Sequence, residues 1–119
     1  MRITLCGSIR FIDKFREWNK TLTACGHTVH SLGYITKSED NRPEQSVKEI
    51  LDLVHFQKIL NSDAILVIGA ETHLGFSTQR EIHWARMNEK EVYFEEKDGA
   101  MLLIPPLAPY DSERVDGKV

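Results

Sequence analysis

The chain has 119 residues, 41% hydrophobic and 28% charged, an ordinary balance for one globular domain with a modest core. Its formal net charge of -3 excludes a basic surface built to hold a nucleic-acid backbone. No apolar run is long enough to span a bilayer, and the start, Met1-Arg2-Ile3-Thr4-Leu5, is too soon interrupted for a signal peptide. Two cysteines, Cys6 and Cys25, make neither a disulfide framework nor a CxxC zinc pair, so a reduced, cytoplasmic setting without metal or cofactor is expected.

In chain order, Ile3 to Cys6 reads as a strand closed by Gly7-Ser8. Phe11, Phe15, Trp18 and Leu22 recur at helical spacing, predicting a helix over Phe11 to Cys25 that Gly26 ends. Thr28 to Leu32 reads as a second strand, and Gly33 to Arg42 as a loop. Pro43 suits the first turn of a helix running from Glu44 to Asn61. That helix carries two apolar stripes, Val47, Ile50, Leu51, Val54 and Leu53, Phe56, Leu60, which suggests that it is covered on both sides, the outer cover being a second subunit.

Asp63 to Gly69 is a continuous apolar run, as in a strand buried on both faces. Gly75 to Asn88 reads as a helix, Glu91 to Phe94 as a fourth strand and Met101 to Ile104 as a fifth, on an edge. One domain over residues 1–104 and a tail over 105–119 result. Alternating strands and helices predict an α/β fold: a three-layer, Rossmann-like sandwich around a parallel sheet of about five strands. Ligands of such sheets bind beyond the carboxyl ends of the strands, where three loops meet here, at Gly7 to Arg10, at Gly33-Tyr34 and at Gly69 to Ser77.

Those loops hold the candidate residues. Gly75-Phe76-Ser77-Thr78-Gln79-Arg80-Glu81 turns from strand to helix and aims backbone N–H groups at an anion. Glu81 lies four residues after Ser77, one turn along the same face, and is a candidate nucleophile or base. Asp63, opening the strand that leads there, is the candidate second carboxylate; two converging carboxylates are the usual equipment for cleaving a glycosidic bond. In Cys6-Gly7-Ser8-Ile9-Arg10, Gly7 permits close approach, Ser8 caps a helix or meets a phosphate oxygen, and Arg10 offers a fork suited to phosphate. Neither GxxxxGK[ST] nor GxGxxG is present, so P-loop and dinucleotide fingerprints are lacking. Tyr34 suits either a base stack or a loop anchor, and Cys6 reads as a small buried filler. His55 and His83 lie in helices, where a histidine is more often structural than catalytic.

Over roughly Ile3 to Phe94 the chain resembles the nucleoside 2-deoxyribosyltransferase-like family, which includes deoxynucleoside 5'-monophosphate N-glycosidases and CMP hydrolases. The resemblance rests on Cys6-Gly7-Ser8-Ile9-Arg10, on Asn61-Ser62-Asp63-Ala64 and on the Gly75, Ser77 and Glu81 element. It implies a flavodoxin-like sheet and a homodimer or larger assembly. It implies that Glu81 attacks C1' of the sugar with help from Asp63, and that Ser8, Arg10, Gly75 and Ser77 contact phosphate. The expected activity is hydrolysis of a (deoxy)nucleoside 5'-monophosphate. The alternatives are base exchange by a transferase, a non-catalytic nucleotide-binding module and, more remotely, cleavage of an NAD-like dinucleotide. In each case the partner is a nucleoside or nucleotide, with no nucleic-acid polymer and no membrane.

Overall fold

A computed structural model describes residues 1–32 and 45–104. Among the described residues four strands form one parallel sheet: β1 (Arg2–Gly7), β2 (Thr28–His30), β3 (Ala64–Ile68) and β4 (Glu91–Phe94), in the order β2-β1-β3-β4. Central β1 pairs with β3 from Ile3 opposite Ala64 to Gly7 opposite Ile68. All five residues of β3 are buried, as its unbroken apolar run requires of a strand covered on both faces.

Alternation along the strands divides the core in two. Ile3, Leu5, Leu66 and Ile68 pack with Phe15, Leu22 and Trp18 of α1 (Ile12–Ala24) and with Leu102 of α4 (Glu95–Leu102). Cys6, Ile65 and Val67 point the other way, toward Phe56 and Ile59 of α2 (Gln45–Leu60) and Ile82, Trp84 and Ala85 of α3 (Phe76–Met87). The result is a three-layer sandwich. The helix expected from Phe11 begins instead with a 3-10 turn, Ile9–Phe11, capped by Ser8, whose Oγ accepts from the Arg10 N–H at 3.3 Å. Loop 33–42, Pro43 and the 105–119 tail lie outside the described residues.

Met101 to Ile104 do not form the expected edge strand. Met101 and Leu102 end α4, and Leu103 and Ile104 follow it; of these four apolar residues Leu102 alone is buried. The sequence before them explains this. Glu95, Glu96 and Asp98 place negative charge in a first helical turn, where the macrodipole favours it, and Asp98 Oδ2 accepts from the Phe94 N–H at 3.0 Å. Gly99 then lets the helix lie against Trp18: an added Cβ there would come within 2.7 Å of the indole.

Glu95 ties this helix to the loop after β3. Its Oε1 accepts from the Gly69 N–H at 2.8 Å and from Lys14 Nζ at 3.2 Å, and its Oε2 accepts from Trp18 Nε1 at 2.6 Å. The side chain is 10% exposed, so its loss strands two N–H donors in a place that water reaches poorly. Glu95→Ala is expected to lower stability by about 1.5–3 kcal/mol, measured by chemical denaturation.

Candidate active site

At the carboxyl end of β1, between the sheet and α2, lies a cleft of about 360 Å³. Leu5, Gly7, Leu32, Asp52, His55 and Glu81 are among its lining residues. Gly7 sits with φ +149°, a conformation that side chains disfavour, and a Cβ there would meet the Ile68 carbonyl oxygen at 2.7 Å. A glycine is therefore what lets β1 and β3 stay paired up to the rim of the cleft.

Glu81 reaches this cleft from the second turn of α3 because Ile82 and Ala85 fix the buried side of that helix. Its carboxylate is 15% exposed, and Oε2 lies 3.3 Å from His55 Nε2. His55 Nε2 is 3.5 Å from the Cys6 sulfur. Thus β1, α2 and α3 each deliver one polar group to a common point.

Burial sets the charge states. It pushes the Glu81 carboxyl up to about 7, with the negative charge of Asp52 adding to the effect and Arg80 opposing it. Burial also pulls His55 down to about 4, aided by Lys58 and opposed by Asp52. Cys6, enclosed and beside Glu81, is held well above the ordinary thiol range. Near neutral pH the histidine and the thiol are therefore uncharged, and Glu81 titrates where a proton-handling or nucleophilic group operates.

Asp63 is not part of this arrangement, contrary to the expectation from sequence. It precedes the amino end of β3, whereas Cys6 pairs with Val67; four residues of strand separate the two levels by roughly 13 Å. Asp63 Oδ2 accepts from the Arg2 N–H at 2.7 Å, and Oδ1 accepts from Arg2 Nη2 at 3.1 Å. The hydrogen bonds from Arg2 hold its carboxyl below its ordinary value. It pins the start of two strands, so Asp63→Asn is expected to leave any turnover at the wild-type kcat/KM, measured under saturating and limiting substrate.

The carboxylate that does share the cleft with Glu81 is Asp52. It lies one turn before His55 on α2, and Lys48 Nζ stands 3.5 Å from its Oδ2. A signal was present in the sequence, since Asp52 and His55 are three residues apart on one helical face, but a helix with apolar residues on two sides does not reveal which gap faces the ligand. His55 is likewise brought to the site from a position that sequence pattern left structural. Gly7 lines the cleft, and Ser8, Ile9 and Arg10 follow it, with Ile9 and Arg10 exposed. Gly75 is the N-cap of α3 without a side-chain cap, and Ser77 is exposed in its first turn. Tyr34 lies outside the described residues.

No family model and no curated protein matches the sequence. Solved structures do resemble the fold. A 2-deoxyribosyltransferase from the psychrotolerant bacterium Bacillus psychrosaccharolyticus superposes with a TM-score of 0.61 at 16% identity, covering 79% of this chain and 71% of that one. A CMP N-glycosidase from Clostridium botulinum gives a TM-score of 0.55 at 15% identity, covering 87% and 84%. The chain therefore has the α/β fold shared by these two proteins.

Proposed function

We propose that the chain is an N-glycosidase that hydrolyses a (deoxy)nucleoside 5'-monophosphate through a glycosyl-Glu81 intermediate. The observation that carries this reading is the Glu81 carboxylate in the wall of a cleft at the carboxyl ends of the strands, 15% exposed and facing an uncharged histidine. A carboxylate so placed is desolvated and free to attack. The cleft volume falls within the range of about 300–1,000 Å³ typical of small-ligand sites.

In the first step a Glu81 oxygen bonds to C1' as the bond from C1' to the base nitrogen breaks, its electron pair leaving on the base. Asp52 is the second acidic group of the cleft and relays to the base the proton that it takes up from solvent. In the second step the oxygen of water bonds to C1', its proton passes through Asp52 to solvent, the ester bond to Glu81 breaks with its electron pair returning to the carboxylate, and the sugar 5-phosphate leaves. His55 holds the attacking oxygen in place through its 3.3 Å contact. Arg10, exposed just beyond the cleft, and the uncapped first turn of α3 with Ser77 offer charge and N–H groups for the phosphate. The likeness to a CMP N-glycosidase supports this reading.

The likeness to a 2-deoxyribosyltransferase supports a second one, in which a free base resolves the same intermediate. Chromatography of purified nucleosides and their 5'-monophosphates, with and without a second base, separates them. Free base and sugar phosphate from monophosphates alone establish the hydrolase. A new nucleoside establishes the transferase, and ligand binding without turnover would leave only a nucleotide-binding module.

The assembly is read as a homodimer or larger. Val47, Ile50, Leu53 and Val54 leave α2 with an apolar outer side, 40%, 58%, 64% and 46% exposed. The free cysteines Cys6 and Cys25 fit a reducing, cytoplasmic setting. Among the described residues, no helix is long and apolar enough to cross a membrane.

A further inference from the structure

Cys6, His55 and Glu81 come from three different elements, and their sulfur, ring-nitrogen and carboxylate-oxygen atoms all lie within 4.8 Å of one another. The sulfur is 3.5 Å from His55 Nε2, and Nε2 is 3.3 Å from Glu81 Oε2. Zinc bonds of about 2.3 Å to sulfur and about 2.0–2.2 Å to nitrogen and oxygen place tetrahedral ligands roughly 3.3–3.7 Å apart. The two spacings that meet at His55 Nε2 are those of edges of such a tetrahedron, and the sulfur and the carboxylate oxygen lie within 4.8 Å of each other.

We propose that Cys6, His55 and Glu81 form a binding site for a zinc-class divalent cation, with the fourth ligand position open to the cleft. Thiolate and imidazole donors select a borderline-soft cation over magnesium or calcium, which take oxygen ligands. Two anionic ligands neutralise the ion, and the neutral imidazole offers Nε2 when its proton is on Nδ1. Asp52 adds negative potential, while Lys48, Lys58 and Arg80 oppose it. The ion loses waters to form one bond each to sulfur, nitrogen and oxygen. The Cys6 proton, and the Glu81 proton where present, pass to the buffer. Burial that keeps the thiol protonated in the free protein is offset by the bound charge.

The site stands independently of the glycosidase reading; its consequence for activity rests on that reading. A cation that takes the Glu81 carboxylate removes the attacking group, so metal and substrate exclude each other.

The test uses the full chain, stripped with a chelator and kept reduced without added thiols, titrated with cobalt(II). The expected result is one equivalent bound, with a thiolate-to-cobalt charge-transfer band and the strong visible bands of a four-coordinate ion, all displaced by zinc. Cys25→Ser should retain the spectrum, and Cys6→Ser should lose the charge-transfer band. His55→Ala, which keeps the thiol, should weaken cobalt binding by more than about tenfold, beyond the lower end of the effect of an outer-shell partner. His55→Ala and Glu81→Gln decide the matter should Cys6→Ser fail to fold. Absence of the band in the wild type, or its survival in Cys6→Ser, overturns the proposal, as does unweakened binding by both of the other variants. Zinc is further expected to inhibit base release in competition with substrate and reversibly by chelator. Absence of base release from every nucleotide would overturn the glycosidase reading alone, because the cobalt spectrum needs no turnover.

Discussion

Glu81→Gln is expected to lower base release by at least about 10³-fold, the scale of removing an attacking group. The amide keeps the size of the side chain but cannot form the glycosyl ester. The wild-type rate should also carry a signature of the carboxyl group's raised value, because kcat/KM needs the ionised form of Glu81. With that carboxyl at about 7, kcat/KM falls as the pH drops below that point, and the acid limb vanishes in the variant's residual rate. A rate that survives Glu81→Gln would remove Glu81 from the chemistry.

The same substitution should raise stability, and the sign follows from linkage. The carboxyl is moved up from 4.5 to about 7 in the folded chain. Its contribution to stability is full below about 4.5 and is lost as pH rises through about 7, where the fold must hold a buried charge. The loss approaches roughly 3 kcal/mol, at about 1.36 kcal/mol per pH unit of displacement. His55 acts oppositely: moved down to about 4, it contributes fully above about 6.5, and the contribution is lost as pH falls through about 4. Urea denaturation at about pH 8 and about pH 5.5 should therefore show Glu81→Gln more stable than wild type by roughly 3 kcal/mol at the first and by only about 1.4 kcal/mol at the second. Equal stability at both would mean that Glu81 is better solvated than its 15% exposure indicates.

Gly7→Ala is expected to lower stability by about 2–4 kcal/mol, combining backbone strain with overpacking. The strain arises at φ +149°, and the overpacking arises where the new methyl meets the Ile68 carbonyl oxygen at 2.7 Å. That oxygen belongs to backbone at the end of β3 and cannot swing aside as a flexible side chain would. Relief requires β1 and β3 to part at the rim of the cleft, and Cys6, the preceding residue, holds the sulfur beside His55. Loss of base release beyond the loss of folded protein should accompany the lower denaturation midpoint. A variant as stable as wild type would show that the strand ends separate at little energetic expense.

The alternation of short apolar runs with helical patterns is a property of neighbouring residues, and it determined by itself that this chain is a layered α/β fold. The run from Ala64 to Ile68 could satisfy its apolar side chains only by being covered on both faces, so β3 was legible without coordinates. The turn at Gly75 and the helix that carries Glu81 were legible for the same local reason. Met101 to Ile104 was misread because four adjacent apolar residues fit a strand or the end of a helix equally well. The acidic turn before them, and the packing of Gly99 on Trp18, settled the choice.

The composition of the site was decided by tertiary structure. Asp63 and Glu81 flank the same strand in sequence, yet strand direction sends Asp63 to the amino edge of the sheet and its pairing with Arg2. Asp52 and His55 lie well before that strand in sequence, and the packing of α2 beside β1 turns them into the cleft. Cys6 had the pattern of a core filler, and it is one. Whether its sulfur also meets a histidine and a carboxylate depends on how three elements converge, a relation that no spacing along the chain encodes.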